Sequence, residues 1–388
     1  MKILKLVFNQ IHQGTYWRAY NFGKCLANRG HEVTLVATSR KSRWRISEQT
    51  HGNFTLVEMP DLFSGSLRSG WDPWNCLRRC LWLSHKSFDL VHAYESRPTV
   101  IFPALYAQSK GAKLIMDWAD WFGKGGSVEE RNSRFIRAIV RPVESFFEER
   151  FRTCANASTV ICSVLKEKAI RLGVRKETML LLPNGTSPEQ WHYQEVNEAR
   201  DALEVPLNNF TIGYVGTIFP QDAAFMAQAF DIVASQIPEA RLLLVGYNKT
   251  NFKEISRFPE RIYSTGYLLK QEEVYAHLAA CNVLWLPLQD SNANRGRLPY
   301  KLMDYMVVGR PVIATSVGDV VTILQEESFG LLSPVDPTIF AAKTLEISQD
   351  QELQNRFGLS ARSAAVGRYR WVNLVDSLEN LYRQVLSQ

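Results

Sequence analysis

A short stretch near residue 300 places two positive charges beside the start of a predicted helix. Pro299 precedes an apolar run at helical spacing and Gly309 follows it, so we predict a helix between them. The free N–H groups and positive dipole end of a helix start attract anions, and Arg297 and Lys301 add full charges there. This predicts a diphosphate-binding site. Ordinary solvated cations are the alternative, although cations are unfavourable at a helix N-terminus.

Other polar residues lie where predicted strands of the first half end. Gly14 and Thr15 lie in the turn after the first strand, where their backbone can approach a ligand closely. His92 ends the strand FDLVHA, where a neutral imidazole would hydrogen bond a sugar hydroxyl; a structural histidine is the alternative. Arg18, in the first helical turn, either binds an anionic acceptor or lies at the surface.

The segment DWADWFGKGG combines two tryptophans with two carboxylates after another predicted strand. Trp118 and Trp121 offer flat apolar faces to a sugar ring, and Asp117 and Asp120 offer acceptors to its hydroxyls. Buried tryptophans, with an aspartate capping the next turn, are the alternative. We predict a contact with saccharide here.

Short apolar runs alternate with helical patterns along both halves of the chain. This pattern predicts parallel strands that are covered on both faces by helices. In the first half the predicted strands are ILKLVF, HEVTLVA, FDLVHAY, KLIMDWAD, STVICSV and TMLLLPN. In the second half they are FTIGYVG, RLLLVGY, IYSTGYL, NVLWLPL, RPVIATS and GLLSPV. We predict an α/β protein of two doubly wound domains, joined near the Pro-Asn-Gly turn at residues 183–185.

Composition and charge exclude several classes of protein. The 388 residues are 46% hydrophobic and 22% charged, which is typical of a folded globular protein. The sequence has no run of 18 consecutive apolar residues, so we predict no membrane-spanning helix. The first residues, MKILKLVF, are not followed by a signal-peptide cleavage site. Six cysteines without CxxC spacing favour the reducing cytosol. Phosphate-loop, dinucleotide, HExxH and GxSxG motifs are absent from the sequence.

The positive charge is concentrated in the first half. Residues 1–190 carry 28 Lys and Arg against 17 Asp and Glu, whereas the remainder carries 17 against 22. A basic half attracts nucleic acid, an anionic lipid surface or a phosphorylated substrate, or it is simply a solvated face. No nucleic-acid-binding motif supports the first of these. Residues 69–86 and 131–152 mix arginine with aromatic residues at helical spacing, which indicates either membrane-surface helices or core.

The order of motifs resembles the retaining GT-B glycosyltransferases of family 4 along nearly the whole chain. The landmarks are LANRGHEVTLVA, FDLVHA, LLPNGT, IGYVGTI, LLLVG, TGYL and KLMDYMVVGRPVIAT, together with an R-x-P-x-K segment at residues 297–301. The resemblance implies two Rossmann-like domains facing across a cleft. Residues 1–185 would bind the acceptor, residues 186–367 the nucleotide sugar, and the helix at 368–388 would cross back to the first domain.

The resemblance also implies roles for individual residues. Asp304 occupies the place of the second acid of the family motif and would bind the donor ribose; a capping or solvent-facing aspartate is the alternative. The first acid is missing, because residue 296 is glycine, and Thr217 and Asp222 stand where the family has phosphate-binding cations. We expect Arg297 and Lys301 to replace those cations, and Asp290, Asn292, Asn294 or Arg295 to replace the acid.

The predicted sites follow from these assignments. The expected catalytic residues are Arg297, Lys301, His92, Asp117 and Asp120. The expected donor-binding residues are Gly14, Thr15, Gly216, Thr217, Gly266, Tyr267, Leu268, Asn294, Arg295, Leu302, Met303 and Asp304. No metal or other cofactor is expected.

The predicted activity is retaining transfer of a sugar from a nucleotide diphosphate sugar, with UDP favoured over GDP, to an acceptor hydroxyl. The expected acceptor is a lipid-linked saccharide of envelope or exopolysaccharide synthesis. The enzyme would be cytoplasmic, with an anionic membrane surface as a candidate partner and no nucleic acid. A nucleotide-sugar epimerase and a non-catalytic sugar-nucleotide-binding subunit are the alternatives.

Overall fold

The computed structural model describes residues 1–63, 69–131, 133–203, 210–248 and 250–388. The chain divides into two compact units. One, here the N-terminal unit, contains Met1–Asn184 and Trp371–Gln388, and the other, the C-terminal unit, contains Gly185–Arg370. The division falls inside the Pro-Asn-Gly turn.

The strands of the two units follow in chain order. In the N-terminal unit they are β1 (Lys2–Gln10), β2 (Glu32–Thr38), β3 (Ser47–His51), β4 (Phe54–Met59), β5 (Leu90–Tyr94), β6 (Lys113–Trp118), β7 (Ala157–Val160) and β8 (Met179–Leu181). In the C-terminal unit they are β9 (Thr211–Val215), β10 (Arg241–Val245), β11 (Ile262–Gly266), β12 (Val283–Leu286), β13 (Val312–Thr315) and β14 (Gly330–Ser333).

The helices alternate with these strands. The first seven are α1 (Tyr16–Asn28), α2 (Pro73–Leu83), α3 (Pro98–Ser109), α4 (Arg134–Arg150), α5 (Ser163–Arg171), α6 (Val196–Ala202) and α7 (Pro220–Gln236). The others are α8 (Gln271–Ala279), α9 (Asn292–Arg295), α10 (Tyr300–Val308), α11 (Val320–Glu327), α12 (Pro337–Ser348), α13 (Gln351–Val366) and α14 (Trp371–Leu386).

The described strands of the N-terminal unit form one sheet in the order β3-β4-β2-β1-β5-β6-β7-β8. All neighbours are parallel except β3, which pairs antiparallel with β4. The apolar run of β1 is buried from Ile3 to Phe8, as expected for a central strand with helices on both faces. The strand order reverses between β1 and β5, so the turns after these two strands diverge at the carboxyl edge.

The last helix, α14, belongs to the N-terminal unit. Trp371 packs edge-on against Phe22 of α1, with ring centres 4.8 Å apart. Arg29, just after α1, donates a 2.8 Å hydrogen bond to Glu379. Tyr382 lies fully buried in the same core cluster as Leu26. Apolar packing and ion pairs therefore fasten the end of the chain to α1.

The described strands of the C-terminal unit form a fully parallel sheet in the order β11-β10-β9-β12-β13-β14. This order reverses between β9 and β12, and ligands of open α/β sheets bind outside the carboxyl ends of strands at such a reversal. The prediction of two doubly wound α/β domains is confirmed.

The structure corrects several details of the predicted elements. The hairpin β3–β4 was not predicted, because every residue of β3 is exposed and its polar sequence lacks the usual strand signal. The predicted strand STVICSV ends at Val160, and Ser163 already begins α5. Of residues 131–152, which have helical spacing, Arg134–Arg150 form α4, and a 3-10 turn begins at Arg152.

Candidate functional site

The helix α10 begins and ends where the sequence predicts. Pro299 is its N-cap residue and has no side-chain oxygen that could accept from the first N–H groups. Gly309 ends the helix in the left-handed conformation at φ 67°, and its N–H donates to the carbonyls of Met306 and Tyr305. The start of α10 therefore offers backbone donors and the positive end of a helix dipole.

Lys301, in the first turn of α10, lies against the end of β9. Its Nζ donates a 2.5 Å hydrogen bond to the Tyr214 hydroxyl, and a Cβ on Gly216 would lie 3.3 Å from Nζ. Burial lowers the pKa of Lys301 to about 8; the charge of Asp222 opposes this shift, and that of Arg297 adds to it. The structure thus brings Gly216 and Lys301 together as predicted and places Tyr214 and Asp222 near them.

Arg297 is half-buried just before α10. Its Nε donates to the carbonyl of Ala293 at 3.0 Å, and its charge contributes to lowering the Lys301 pKa. Two cations therefore lie near one helix start. The charge of Arg297 disfavours protonation of Lys301, so an anion bound between them would relieve a repulsion already present in the fold.

Asp304, one turn further along α10, is buried. Its Oδ1 accepts from Gln271 Nε2 and from the Tyr275 hydroxyl, both at 3.3 Å. Burial raises the pKa of Asp304 to about 7, against the opposing effects of Tyr275 and Lys301. At neutral pH this carboxyl exists in both its neutral and its charged form, so it can either donate or accept a hydrogen bond.

Three glycines at the carboxyl ends of β9, β10 and β11 adopt left-handed backbone conformations. The φ angles are 122° at Gly216, 125° at Gly246 and 69° at Gly266. A Cβ on Gly246 would lie 2.8 Å from the carbonyl oxygen of Gly216, so these two turns can touch only without side chains. Because these glycines have no side chains, a ligand can contact the protein backbone at the ends of the strands.

The remaining predicted donor-binding residues differ in exposure. Thr217 and Tyr267 are exposed, and Leu268 is half-buried. Leu302 and Met303 are buried in the core, so only their backbone groups can face a ligand.

The segment before α10 is held by its own polar contacts. Arg295 forms a two-point ion pair with Asp290, at 2.6 and 2.8 Å. Asn294 donates its side-chain amide to the carbonyl of Gln289 at 2.8 Å. Asn292 is exposed in α9. The residues expected to replace the missing acid therefore support each other and the loop.

In the N-terminal unit, Gly14 and Thr15 form the turn between β1 and α1, as predicted. Gly14 has a φ of 53°, and a Cβ there would lie 2.7 Å from Asn9 Nδ2. Thr15 is the N-cap residue of α1 and makes no side-chain cap hydrogen bond. This turn lies at the reversal of strand order, where a ligand can approach the backbone.

The structure corrects the roles expected for Arg18 and Asp117. Arg18 is buried rather than exposed, and it donates to both carboxylate oxygens of Asp117 at 3.0–3.3 Å. It also donates to the carbonyls of Leu182 and Pro183 at 2.7 and 2.8 Å. Asp117 is fully buried and accepts a further hydrogen bond from Thr159. Neither side chain faces a ligand, because each is occupied inside the unit.

His92 is also interior, contrary to the expectation that it contacts a sugar. Its Nδ1 lies 2.6 Å from the Tyr382 hydroxyl and its Nε2 lies 3.1 Å from Thr159 Oγ1. Burial lowers its pKa well below the usual range, with Lys5 and Arg18 adding to the effect. The imidazole is neutral, as expected, but it joins β5 to α14 instead of facing outward.

The DWADWFGKGG segment is largely a packing element. Trp118 is buried beneath Arg152, whose guanidinium carbon lies 4.2 Å from the ring centre, so its face is not open to a sugar. Trp121 is half-buried, with Lys168 Nζ 4.3 Å from its ring centre. Asp120 is half-buried at the carboxyl edge, where its N–H donates to Glu95.

Glu95 is a carboxyl group that the sequence analysis missed. It follows β5 with a φ of 68°, a strained angle for a residue other than glycine. Its Oε1 accepts from the Ala119 N–H at 2.7 Å, and its Oε2 pairs with Arg152 at 3.2 Å. Burial raises its pKa to about 8. Its position directly after the predicted strand FDLVHAY could have indicated a carboxyl group at the carboxyl edge of the sheet.

The described part of the chain contains neither a cluster of metal-binding side chains nor a membrane-spanning helix. No group of three or more His, Cys, Asp or Glu residues there could hold a metal ion. No described helix is long and apolar enough to cross a membrane.

Comparison with known protein families finds a match in each unit. Residues 13–185 match the family described as "Glycosyl transferase 4-like domain", and residues 209–350 match "Glycosyl transferases group 1". Each unit is therefore similar to one of these two glycosyl transferase domains. The strand reversal, the three glycines and the α10 start all lie within the group 1 domain, and the Gly14–Thr15 turn lies within the 4-like domain.

Two curated relatives match parts of this chain. Bacillus subtilis (strain 168) TuaH, whose name assigns it to teichuronic acid biosynthesis as a glycosyltransferase, is 24% identical over 62% of this chain and 56% of its own length. The N-acetyl-alpha-D-glucosaminyl L-malate synthase of Bacillus anthracis is 29% identical over 42% of each chain. The chain thus spans about half the length of these relatives.

Solved structures with both domains share the whole fold. Sucrose-phosphate synthase from Thermosynechococcus elongatus has a TM-score of 0.75 at 18% identity, with full coverage of both chains. Anabaena Alr3699/HepE in complex with UDP has a TM-score of 0.68 at 16% identity and covers 99% of this chain and all of its own. The expected GT-B fold is confirmed.

Proposed function

We propose that this chain transfers a sugar, with retention of anomeric configuration, from a nucleotide diphosphate sugar to an acceptor hydroxyl. The observation that carries the proposal is the arrangement of Lys301, Arg297 and the uncapped start of α10 beside Gly216. It lies where the strand order of the group 1 domain reverses. Its charge and open backbone suit a diphosphate, and the names of both relatives refer to a glycosyltransferase or to a glycosyl product.

The reaction breaks the bond between the anomeric carbon and the diphosphate, so negative charge grows on the departing group. Lys301, Arg297 and the dipole of α10 are fixed where such charge would be stabilised. We therefore propose a reaction that needs no bound metal. Asp304 is suited to the ribose hydroxyls, because its raised pKa lets it donate or accept a hydrogen bond.

UDP is the proposed nucleotide. The Anabaena HepE structure, which shares the fold, contains UDP. The turn of Gly266, Tyr267 and Leu268 presents backbone N–H and C=O groups that can hydrogen bond the edge of a small pyrimidine base. Titration calorimetry with UDP, GDP and ADP tests this directly: we expect UDP to bind tightest, and equal or tighter binding of GDP would contradict it.

Turnover assays separate transfer from the two alternative functions. Slow hydrolysis of a UDP-sugar without acceptor, accelerated by an acceptor, supports transfer. Conversion of the donor into its stereoisomer without any acceptor would instead indicate an epimerase. Binding without consumption of any donor would indicate a sugar-nucleotide-binding subunit.

The acceptor we propose is a lipid-linked saccharide presented at the inner face of the cytoplasmic membrane, in envelope or exopolysaccharide synthesis. The charge of residues 1–190 favours an anionic surface, since each basic residue near such a surface contributes about 1 kcal/mol. The name of TuaH, with its reference to teichuronic acid, fits this class of product.

Helix α4 supports the membrane part of this proposal. Its buried residues are two acids, Glu144 and Glu148. Its outward face is apolar instead, with Phe135, Ile139 and Phe146 exposed by 76%, 55% and 52%. An apolar face that is exposed to solvent in this way marks an interaction site.

Polar contacts hold α4 in this orientation. Glu148 accepts hydrogen bonds from the N–H groups of Phe122 and Gly123 at 2.6 and 2.9 Å and pairs with Lys168 at 3.2 Å. Arg134, Arg141 and Arg150 are exposed along the helix. An apolar face flanked by arginines is typical of helices that lie in the surface of an anionic membrane.

A further inference from the structure

Helix α1 carries aromatic and basic side chains along one outward face. Trp17, Tyr20 and Lys24 are spaced three and four residues apart, so they lie on the same side of the helix. Trp17 is 40% exposed, Tyr20 is half-buried and Lys24 is exposed. Tyr20 meets Trp17 edge-on at 5.9 Å, and Lys24 Nζ lies 5.6 Å from the Tyr20 ring centre. The three side chains form a continuous surface.

One end of this surface begins at the predicted site of the N-terminal unit. His12, in the turn before Gly14, stacks on Trp17 with ring centres 5.3 Å apart and planes 14° from parallel. Its φ of 63° is the left-handed conformation, which is unfavourable for a residue other than glycine. The two stacked rings lie exposed at the carboxyl edge of the sheet, each partly covering one face of the other.

The other end opens into a depression of about 310 Å³. The side chains of Lys24, Asn28, His51 and Asn53 line it, together with Phe54. Asn53 is anchored by a 3.4 Å hydrogen bond to the carbonyl of Ala27. Its lining contains amide, imidazole and ammonium groups but no carboxylate. This composition suits a ligand with hydroxyl groups and negative charge.

From Trp17 to Asn28 the surface extends about 16 Å, since a helix rises 1.5 Å per residue. We infer that this face of α1, defined by His12, Trp17, Tyr20, Lys24, His51 and Asn53, binds an extended acidic saccharide chain. Aromatic faces pack on the apolar faces of sugar rings, while the amides and cations contact hydroxyl and carboxylate groups at the ring edges. The inference rests on the proposed function in one respect: the saccharide would be the acceptor, running from the reacting end at the Gly14 turn along α1.

Calorimetry with defined oligosaccharides tests the inference on the full-length protein. The probes are α-1,4-linked galacturonate oligomers of two and six units and the neutral maltohexaose. We expect the acidic hexamer to bind at least tenfold tighter than the acidic dimer, because only the longer chain spans the surface. We expect it to bind at least fivefold tighter than maltohexaose, because of the positive charge of Lys24.

Two variants locate the binding. Trp17→Ala should lower the affinity for the acidic hexamer at least tenfold. Lys24→Ala should lower the affinity for the acidic hexamer several-fold without changing the affinity for maltohexaose. Trp44→Ala is the matched control, because Trp44 is 61% exposed in the same unit and does not belong to this surface. Thermal unfolding of each variant verifies that the fold is intact.

The outcomes separate this inference from the proposed sugar transfer. Equal affinity of Trp17→Ala and the unchanged protein for the acidic hexamer would overturn the location. Absence of binding to every oligosaccharide would overturn the site. If the hexamer binds as expected while UDP does not bind at all, the saccharide surface stands and the proposed transfer fails.

Discussion

The side-chain ammonium of Lys301 lies 2.5 Å from the hydroxyl of Tyr214 and 3.9 Å from the centre of its ring. Its closest partner is therefore a neutral phenol rather than a carboxylate. The nearby acids Asp222 and Asp304 only partly offset the effect of burial, and the Lys301 pKa falls to about 8. A positive charge held in this way is poised to pair with an incoming anion.

Removal of the Lys301 charge should impair the proposed reaction more than it affects the fold. In Lys301→Ala we expect turnover to fall at least 100-fold, because a preorganised charge on the departing group contributes about 3 kcal/mol or more. Steady-state kinetics with a UDP-sugar measure the effect. Lys343→Ala, at an exposed lysine paired with Glu346 in the same domain, is the control and should retain full activity. Unchanged kinetics in Lys301→Ala would assign the role to other cations.

UDP affinity should weaken as the pH rises from 7 to 9. Lys301 is charged below its pKa of about 8 and neutral above it, so the attraction for the diphosphate is lost as the pH rises. The expected loss is about tenfold over these two pH units, because the charged fraction of Lys301 falls from about nine tenths to about one tenth. Calorimetry at several pH values measures it. Lys301→Arg stays charged and should lack this dependence; the same decline in both proteins would refute the assignment.

Gly246→Ala should disturb the nucleotide site through its contact with Gly216. The new Cβ would lie 2.8 Å from the Gly216 carbonyl oxygen, and the φ of 125° is unfavourable for alanine. Gly30→Ala is the control: Gly30 has a φ of 86°, but a Cβ there would have no neighbour within 4 Å. Backbone strain alone costs about 1–3 kcal/mol in either variant. We expect UDP affinity to fall only in Gly246→Ala, and an equal fall in Gly30→Ala would exclude the contact as the cause.

Asp117→Asn should destabilise the protein by about 3–5 kcal/mol, because it leaves the buried charge of Arg18 without an oppositely charged partner. Urea unfolding followed by near-ultraviolet circular dichroism measures the change. Asp290→Asn is the matched control, since it breaks a similar pair with Arg295 that is exposed to solvent. That variant should lose less than about 1 kcal/mol. Similar losses in both would mean that burial of the Arg18 pair is energetically unimportant.

The exposed face of α4 should bind anionic membranes. We expect the protein to sediment with vesicles of phosphatidylglycerol and phosphatidylcholine at low salt, and to be released as salt rises, because the arginine contribution is screened. The double variant Phe135→Ser, Ile139→Ser should lose most of this binding. Leu359→Ser, at a residue 61% exposed on α13, should not. Retention of binding in the double variant would assign the contact to another surface.

Local sequence patterns determined most of the fold. Buried parallel strands are continuous apolar runs, so nearly all strands were predictable, and Pro299 and Gly309 marked the bounds of α10 by their own backbone preferences. The family resemblance assigned Gly216 and Lys301 to one site, and in the structure the end of β9 lies beside the start of α10. The edge strand β3 escaped prediction because it is exposed on all its residues and needs no apolar pattern.

Only the tertiary structure decided which polar residues are buried. Local patterns assign His92 and Asp117 to strand ends. They do not predict that Tyr382, from the end of the chain, and Arg18 occupy the hydrogen-bonding atoms of these two residues. The spacing in α4 indicated two different faces, yet not that Glu148 would point inward and Phe135 outward. A polar side chain is stable in the interior wherever distant segments supply its partners, and that pairing is a property of the assembled fold.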